Sequence, residues 1–107
     1  MNIKTFQEKS QRTVDKDLTP TALASNLLLG LAGETGEVVD LFKKHLYHGH
    51  SLYKPDLIEE MGDVMFYLVN IATLYDVDME QVMKANYNKL LERYPEGFDK
   101  ERSINRD

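Results

Sequence analysis

Two pairs of carboxylates recur at helical spacing in this sequence: Glu34 and Glu37 in GETGE, and Glu60 and Asp63 in EEMGD. Residues three apart on a helix share one side, so each pair would project as a unit, whereas Glu59 points outward into solvent. Four carboxylates facing one another in a half-buried site repel, and only cations or protons make the arrangement tolerable. All-oxygen ligation selects hard ions, which puts Mg²⁺ first, with Mn²⁺ as a substitute, ahead of zinc or copper. A lone Glu-x-x-Glu is most often a solvated acidic face; two pairs at matching levels, both touching an apolar stripe, reverse those odds. A di-iron bundle needs Glu-x-x-His on two helices. The histidines here, His45, His48 and His50, all fall in the connecting segment HLYHGHSLYKP, which disfavours a redox centre or a metal-storing bundle.

Metal ions held by carboxylates commonly bring in phosphates, and phosphates also need cationic and amide donors. Asn86, Lys89 and Arg93 recur at intervals of three and four in KANYNKLLERYPEGF, on one helical face. Lys43 and Lys44, one to two turns beyond Glu37, are further donors, as are Arg102 and Arg106 of the tail. Phe6, Tyr87, Tyr94 and Phe98 are rings able to stack on a base. Gly30 and Gly33 beside Glu37, and Gly62 beside Asp63, predict places where a helix or a ligand comes close.

The elements that must position these groups read as four helices without a strand. The first spans about Ile3 to Asp15, with Phe6, Ser10 and Val14 at helical spacing. The second starts at Pro20, with Thr19 as N-cap, and runs to Lys43 or Lys44. Its apolar stripe is Leu23, Leu27, Leu31, Val38 and Leu41, with Glu34 inside it and Glu37 on its flank. The third spans about Pro55 to Tyr75, with Leu57, Met61, Val64, Leu68, Ile71 and Tyr75 on its face. Asp78 opens the fourth, with Gln81 completing a capping box, and Pro95 follows its end. The second and third helices, joined by a short connection, should pack as an antiparallel hairpin. Counted from that connection, Glu37 and Glu60 then stand at nearly one level. Leu28, Val39, Met65, Phe66 and Val69 fall on the opposite side from the stripe, and a second chain is their natural cover.

The chain has 107 residues, room for one domain, with 42% hydrophobic and 29% charged residues, an ordinary globular balance. Its net charge of -5 disfavours polymeric nucleic acid, which needs a basic footprint. The absence of cysteine removes disulfides and thiolate zinc sites. MNIKTFQEKS is too polar for a signal peptide, and no apolar run approaches the ~20 residues of a membrane span. The expectation is a soluble cytoplasmic protein that does not bind membranes.

Taken together, GLAGETGEVVDLFKKHLYHGH, EEMGDVMFYL, ANYNKLLERYPEGF and ERSINRD resemble the MazG-like family. That family lies within the all-α nucleoside triphosphate pyrophosphohydrolases, with the dimeric dUTPases and phosphoribosyl-ATP pyrophosphohydrolase. The resemblance runs from about Phe6 to Asp107, and implies one all-α MazG-like domain over residues 1–107. It implies Mg²⁺-dependent hydrolysis between the α and β phosphates of a nucleotide, yielding a monophosphate and pyrophosphate. The family's metal-binding acids match Glu34, Glu37, Glu60 and Asp63, and its phosphate-contacting residues match Asn86 and Lys89. Arg93 and Tyr94 match a commonly shared stretch, and Lys43 is a further phosphate donor. Phe6, Tyr94 and Arg106 are candidates for base or lid contacts. Gly33 stands where many members carry an additional glutamate. Single-domain members are homodimers or homotetramers whose site a neighbouring chain completes.

Either Glu34 or Glu37 would serve as the base that takes the water's proton. The leading expectation is thus a nucleoside triphosphate pyrophosphohydrolase that cleans the nucleotide pool or degrades a signal nucleotide. The alternative is a non-catalytic helical adaptor of the same fold that binds a nucleotide or protein. Retention of all four acids favours the enzyme.

Overall fold

Helix α2 (Pro20–Tyr47) is the longest element, and it begins as its sequence dictates. Thr19 is extended and its Oγ1 accepts the Ala22 N–H at 3.2 Å, while Pro20 occupies the first turn, where no N–H is needed. The helix continues past Lys44 to Tyr47, because the His48 and His50 amides still reach the Lys44 carbonyl and Gly49, at φ +74°, turns the chain only afterwards. Helix α3 (Lys54–Leu74) follows with Pro55 in its first turn. Helix α4 (Met79–Arg93) carries the expected capping box between Asp78 and Gln81. These are the structural consequences in a computed structural model that describes residues 1–106. Asp107, the last residue of the expected domain and of ERSINRD, lies outside them.

Two elements differ from the sequence expectation. Helix α1 covers Ile3–Ser10 only, followed by a 3₁₀ turn over Gln11–Thr13, with Val14 extended. Beyond the extended Val14, the Asp15 carboxylate accepts the Asp17 N–H at 2.9 Å, an Asx turn in place of further helix. A fifth helix, α5 (Lys100–Ile104), lies beyond the four expected, capped by Asp99, which accepts the Glu101 and Arg102 amides. The described residues are therefore all-α, with five helices and no strand.

Helices α2 and α3 form the main packing unit. They run antiparallel, since Gly30 lies against Tyr67 while Glu34, four residues later, meets Glu60 and Asp63, which precede Tyr67. The stripe expected on α2 faces inward: Leu27 is buried, and Leu23, Leu31, Glu34, Val38 and Leu41 are half-buried. On α3 the inward face is rotated. Leu57, Val64 and Ile71 are half-buried, but Met61, Leu68 and Tyr75 are exposed. Val69, only 1% exposed, is the most enclosed side chain of α3, and Phe66 is half-buried, so neither belongs to the free face predicted for it. The reason is that α3 has neighbours on two sides, α2 and α1.

Gln7 joins α1 to the end of α3. Its Nε2 donates to the Val77 carbonyl at 2.9 Å and to Thr73 Oγ1 at 3.2 Å, and its Oε1 accepts the Met79 N–H at 2.9 Å. One buried amide thus satisfies groups on both sides of the α3–α4 turn, where Asp76 sits at φ +57°.

Candidate functional site

The hairpin brings three of the four predicted acids together. One carboxylate oxygen from each of Glu34, Glu60 and Asp63 lies within 4.8 Å of the others, and all three residues are half-buried. Glu60 and Asp63 share a face of α3 because they are three apart, and the antiparallel crossing sets Glu34 of α2 opposite them. Crowding and like charge both act on Glu60. Partial desolvation raises its pKa above the ordinary glutamate value, and the carboxylates of Glu34, Glu37, Asp63 and Glu59 raise it further. A divalent cation among the three would reverse that repulsion, and an all-carboxylate donor set suits Mg²⁺ or Mn²⁺. The residues present therefore fit such an ion.

Glu37 stands apart from the trio. It is exposed, one turn from Glu34, and close enough for its charge to act on Glu60. Glu59 is exposed, as its position on the helix predicted.

The glycines around the acids divide into two kinds. Gly30 lies against the Cδ1, Cε1 and Cζ atoms of the Tyr67 ring. A side chain added at Gly33, Gly36 or Gly62 would meet nothing within 4 Å, so no helix of this chain approaches there. Of the helix or ligand expected close to Gly33 and Gly62, no helix of the described residues is there, and the space beside Glu37 and Asp63 is open.

The predicted phosphate donors lie elsewhere. Lys43 and Lys44 both pair with Asp40, at 3.1 and 2.9 Å, two exposed contacts within one helix. Asn86 and Lys89 are exposed on α4, and Arg93 is half-buried at its end. Lys89, Arg93, Arg102 and Arg106 line an open cavity of about 780 Å³ between α4 and α5, with the carboxylates of Glu92, Asp99 and Glu101 among them. Arg102 is fixed there by its Nε, which donates to the Arg93 carbonyl at 2.8 Å and so satisfies one of the free carbonyls at the end of α4. Neither Asn86 nor any of the four acids lines this cavity. Helix α4 packs chiefly on α1. Within one chain the acid trio and this mixed-charge cavity do not share a wall.

The aromatic candidates are also spread out. Tyr94 packs its ring on Phe98, with centroids 5.4 Å apart, across the turn at Gly97. Phe6 is half-buried on α1, and Tyr87 is exposed. No histidine joins the acid trio; His45, expected in the connection, lies in the last turn of α2, and its Nδ1 is 2.8 Å from the His50 carbonyl. Two contributors were not anticipated from the sequence, Gln7 and Tyr67, whereas Arg102 was expected as a donor of the tail. The helix that carries Arg102 had a signal of its own, since Asp99 before KERSI is an N-cap that predicts a short helix returning toward α4.

Residues 23–98 match the family model of the MazG nucleotide pyrophosphohydrolase domain. The Gene 37 protein of Mycobacterium phage L5 is 36% identical over 77 residues, which cover 68% of each chain. The dCTP pyrophosphatase 1 of Mus musculus is 38% identical over 76 residues, 65% of this chain but 45% of the mouse protein. The chain thus matches less than half the length of that relative. The uncharacterized protein YvdC of Bacillus subtilis is 49% identical over 41 residues, 38% of this chain and 39% of its own. No solved structure matches.

Proposed function

From its place in the MazG nucleotide pyrophosphohydrolase family, to which this chain belongs, we propose that the protein hydrolyses a (deoxy)nucleoside triphosphate to its monophosphate and pyrophosphate. The observation that carries this reading is the convergence of Glu34, Glu60 and Asp63 from two helices, with Glu60 already strained toward its protonated form. The dCTP pyrophosphatase relatives make dCTP the first substrate to test. A role in cleaning the nucleotide pool or degrading a signal nucleotide follows from the same chemistry.

Glu34, Glu60 and Asp63 would hold Mg²⁺, with Glu37 at the rim of the site. The ion supplies charge neutralisation for the phosphate oxygens and acidity for a bound water. Glu37 lies outside the trio and is exposed, which suits it to accept the attacking water's proton near the α phosphorus. Glu34 is the other carboxylate placed for that role. Asn86, Lys89 and Arg93 supply donors for phosphate oxygens turned away from the acids, with Lys43 as a further donor. Phe6, Tyr94 and Arg106 are assigned to the base or to closure over it.

A homodimer or homotetramer belongs to this proposal. The acid trio and the α4 donors Lys89 and Arg93 of one chain do not share a cavity, and a second copy would set one chain's α4 against another's hairpin. Pyrophosphate release from a panel of nucleoside triphosphates, with and without Mg²⁺, tests the reading. Tight nucleotide binding without turnover of any of them would favour the non-catalytic adaptor instead.

A further inference from the structure

The ring of Tyr67 lies closer to Gly30 than a Cβ at that position would allow without a shift. A Cβ built at Gly30 would fall 2.7 Å from Tyr67 Cδ1 and nearer still to Cε1 and Cζ. Of the glycines in the chain, Gly30 alone has such a neighbour. This contact sits one helical turn from the acids on both helices: Gly30 is four residues before Glu34, and Tyr67 four after Asp63. The ring is itself held from the side, since Phe66 meets it edge-on with centroids 5.1 Å apart and an interplanar angle of 83°. Residues four apart on a helix are neighbours, so a displacement at this crossing is felt at the next turn, where the carboxylates converge.

We propose that Gly30 and Tyr67 form a positioning pair that sets the separation of α2 and α3 and thereby the spacing of Glu34 from Glu60 and Asp63. Neither residue touches the ion or the substrate in this role. Tyr67 acts as a spacer of fixed thickness, and Gly30 is the seat that lets it lie that close. A methyl group at the seat leaves the ring, hemmed in by Phe66, no ordinary contact distance, so the helices part and the carboxylate oxygens spread beyond the span one small cation can bridge. The inference rests on the metal-binding reading of the acids, and its test separates the two.

The test compares the parent chain with Gly30→Ala, Tyr67→Ala and the double variant. Mn²⁺ binding to the protein alone is followed by electron paramagnetic resonance, and thermal melting is followed by circular dichroism in EDTA. Gly30→Ala should bind Mn²⁺ about tenfold or more weakly at temperatures where it is fully folded, and should melt lower. Removing the ring as well should restore affinity and melting temperature toward the values of Tyr67→Ala. Should Gly30→Ala fail to fold, the double variant should still fold and bind. A Gly30→Ala protein with parental Mn²⁺ affinity, or a double variant no better than Gly30→Ala, overturns the proposal. If the parent chain itself binds no Mn²⁺, the metal reading fails, and the melting temperatures still report on the pair.

Discussion

Glu60 is where the electrostatics of the acidic site are most legible. Its folded pKa lies above the ordinary value of 4.5, by desolvation first and then by the neighbouring carboxylates. The folded state therefore keeps this proton to higher pH than the unfolded chain does. The group's contribution to stability is full at low pH and is lost as pH rises from the ordinary value through the raised one. In EDTA at neutral pH, Glu60→Gln should melt at or above the parent protein, and the difference should vanish below the ordinary glutamate pKa. With Mg²⁺ present the order should invert, because the variant loses a ligand; Glu60→Gln and Asp63→Asn should each abolish pyrophosphate release. A Glu60→Gln protein that melts lower than the parent in EDTA at pH 7 would contradict the repulsion account. Lys89 is a separate case. It is exposed and makes no ion pair among the described residues. Lys89→Ala should leave the melting temperature unchanged and raise KM about tenfold or more, the loss expected for a charge-assisted hydrogen bond of ~1.5–3 kcal/mol. Asn86→Ala should act in the same direction more weakly. Unchanged kinetics in Lys89→Ala would remove α4 from the phosphate site.

At the scale of elements, the sequence was most informative where local chemistry decides the outcome. Thr19-Pro20 and Asp78 with Gln81 mark helix starts because a cap is a contact within four residues, and both are seen. The α2 stripe was readable because that helix has one principal neighbour. The face of α3 was not, since its apolar residues surround the helix and α1 covers a second side over Val69 and Thr73. The acid trio was legible for the same reason as the hairpin, from helical spacing and one short connection. Gln7 was illegible because its three partners lie 66 to 72 residues away. Those bonds make Gln7 the main polar tie between α1 and the α3–α4 turn. Gln7→Ala would remove the part-buried bonds to the Met79 amide and the Val77 carbonyl, at a net cost of about 0.5–1.5 kcal/mol per bond. Urea denaturation should show the midpoint falling accordingly, while Mn²⁺ binding at the distant hairpin remains. A variant with an unchanged midpoint would mean that water replaces the amide at no cost.

The whole molecule is less compact than its length predicts. Its radius of gyration is 17.2 Å, against about 13 Å for a compact domain of this size. Its core is correspondingly small: Leu27, Val69 and Ala72 are its buried hydrophobic residues. Large apolar side chains stay exposed along α2 and α3, including Leu28, Leu29, Val39 and Met65, and along α4, including Met83, Tyr87 and Leu91. Nothing in one chain covers them, and a free apolar surface spread along three helices costs about 25 cal/mol per Å² relative to burial. A second copy would cover this surface and, in the proposed function, bring donors from α4 to the acids of another hairpin. Light scattering at micromolar concentration should therefore give a dimer or tetramer rather than the 12.4 kDa chain. Charge placed on the free face supplies the sharper test, because Leu28 and Val39 are 55% and 60% exposed in one chain. Leu28→Glu with Val39→Glu leaves a single chain's packing intact but would bury two carboxylates between copies. The variant should scatter as a smaller species, keep its helical circular dichroism and lose pyrophosphate release. If it becomes a monomer and still turns over nucleotide at the parental rate, the site is complete within one chain. The donors on α4 must then reach the acids by a movement of α4 about α1.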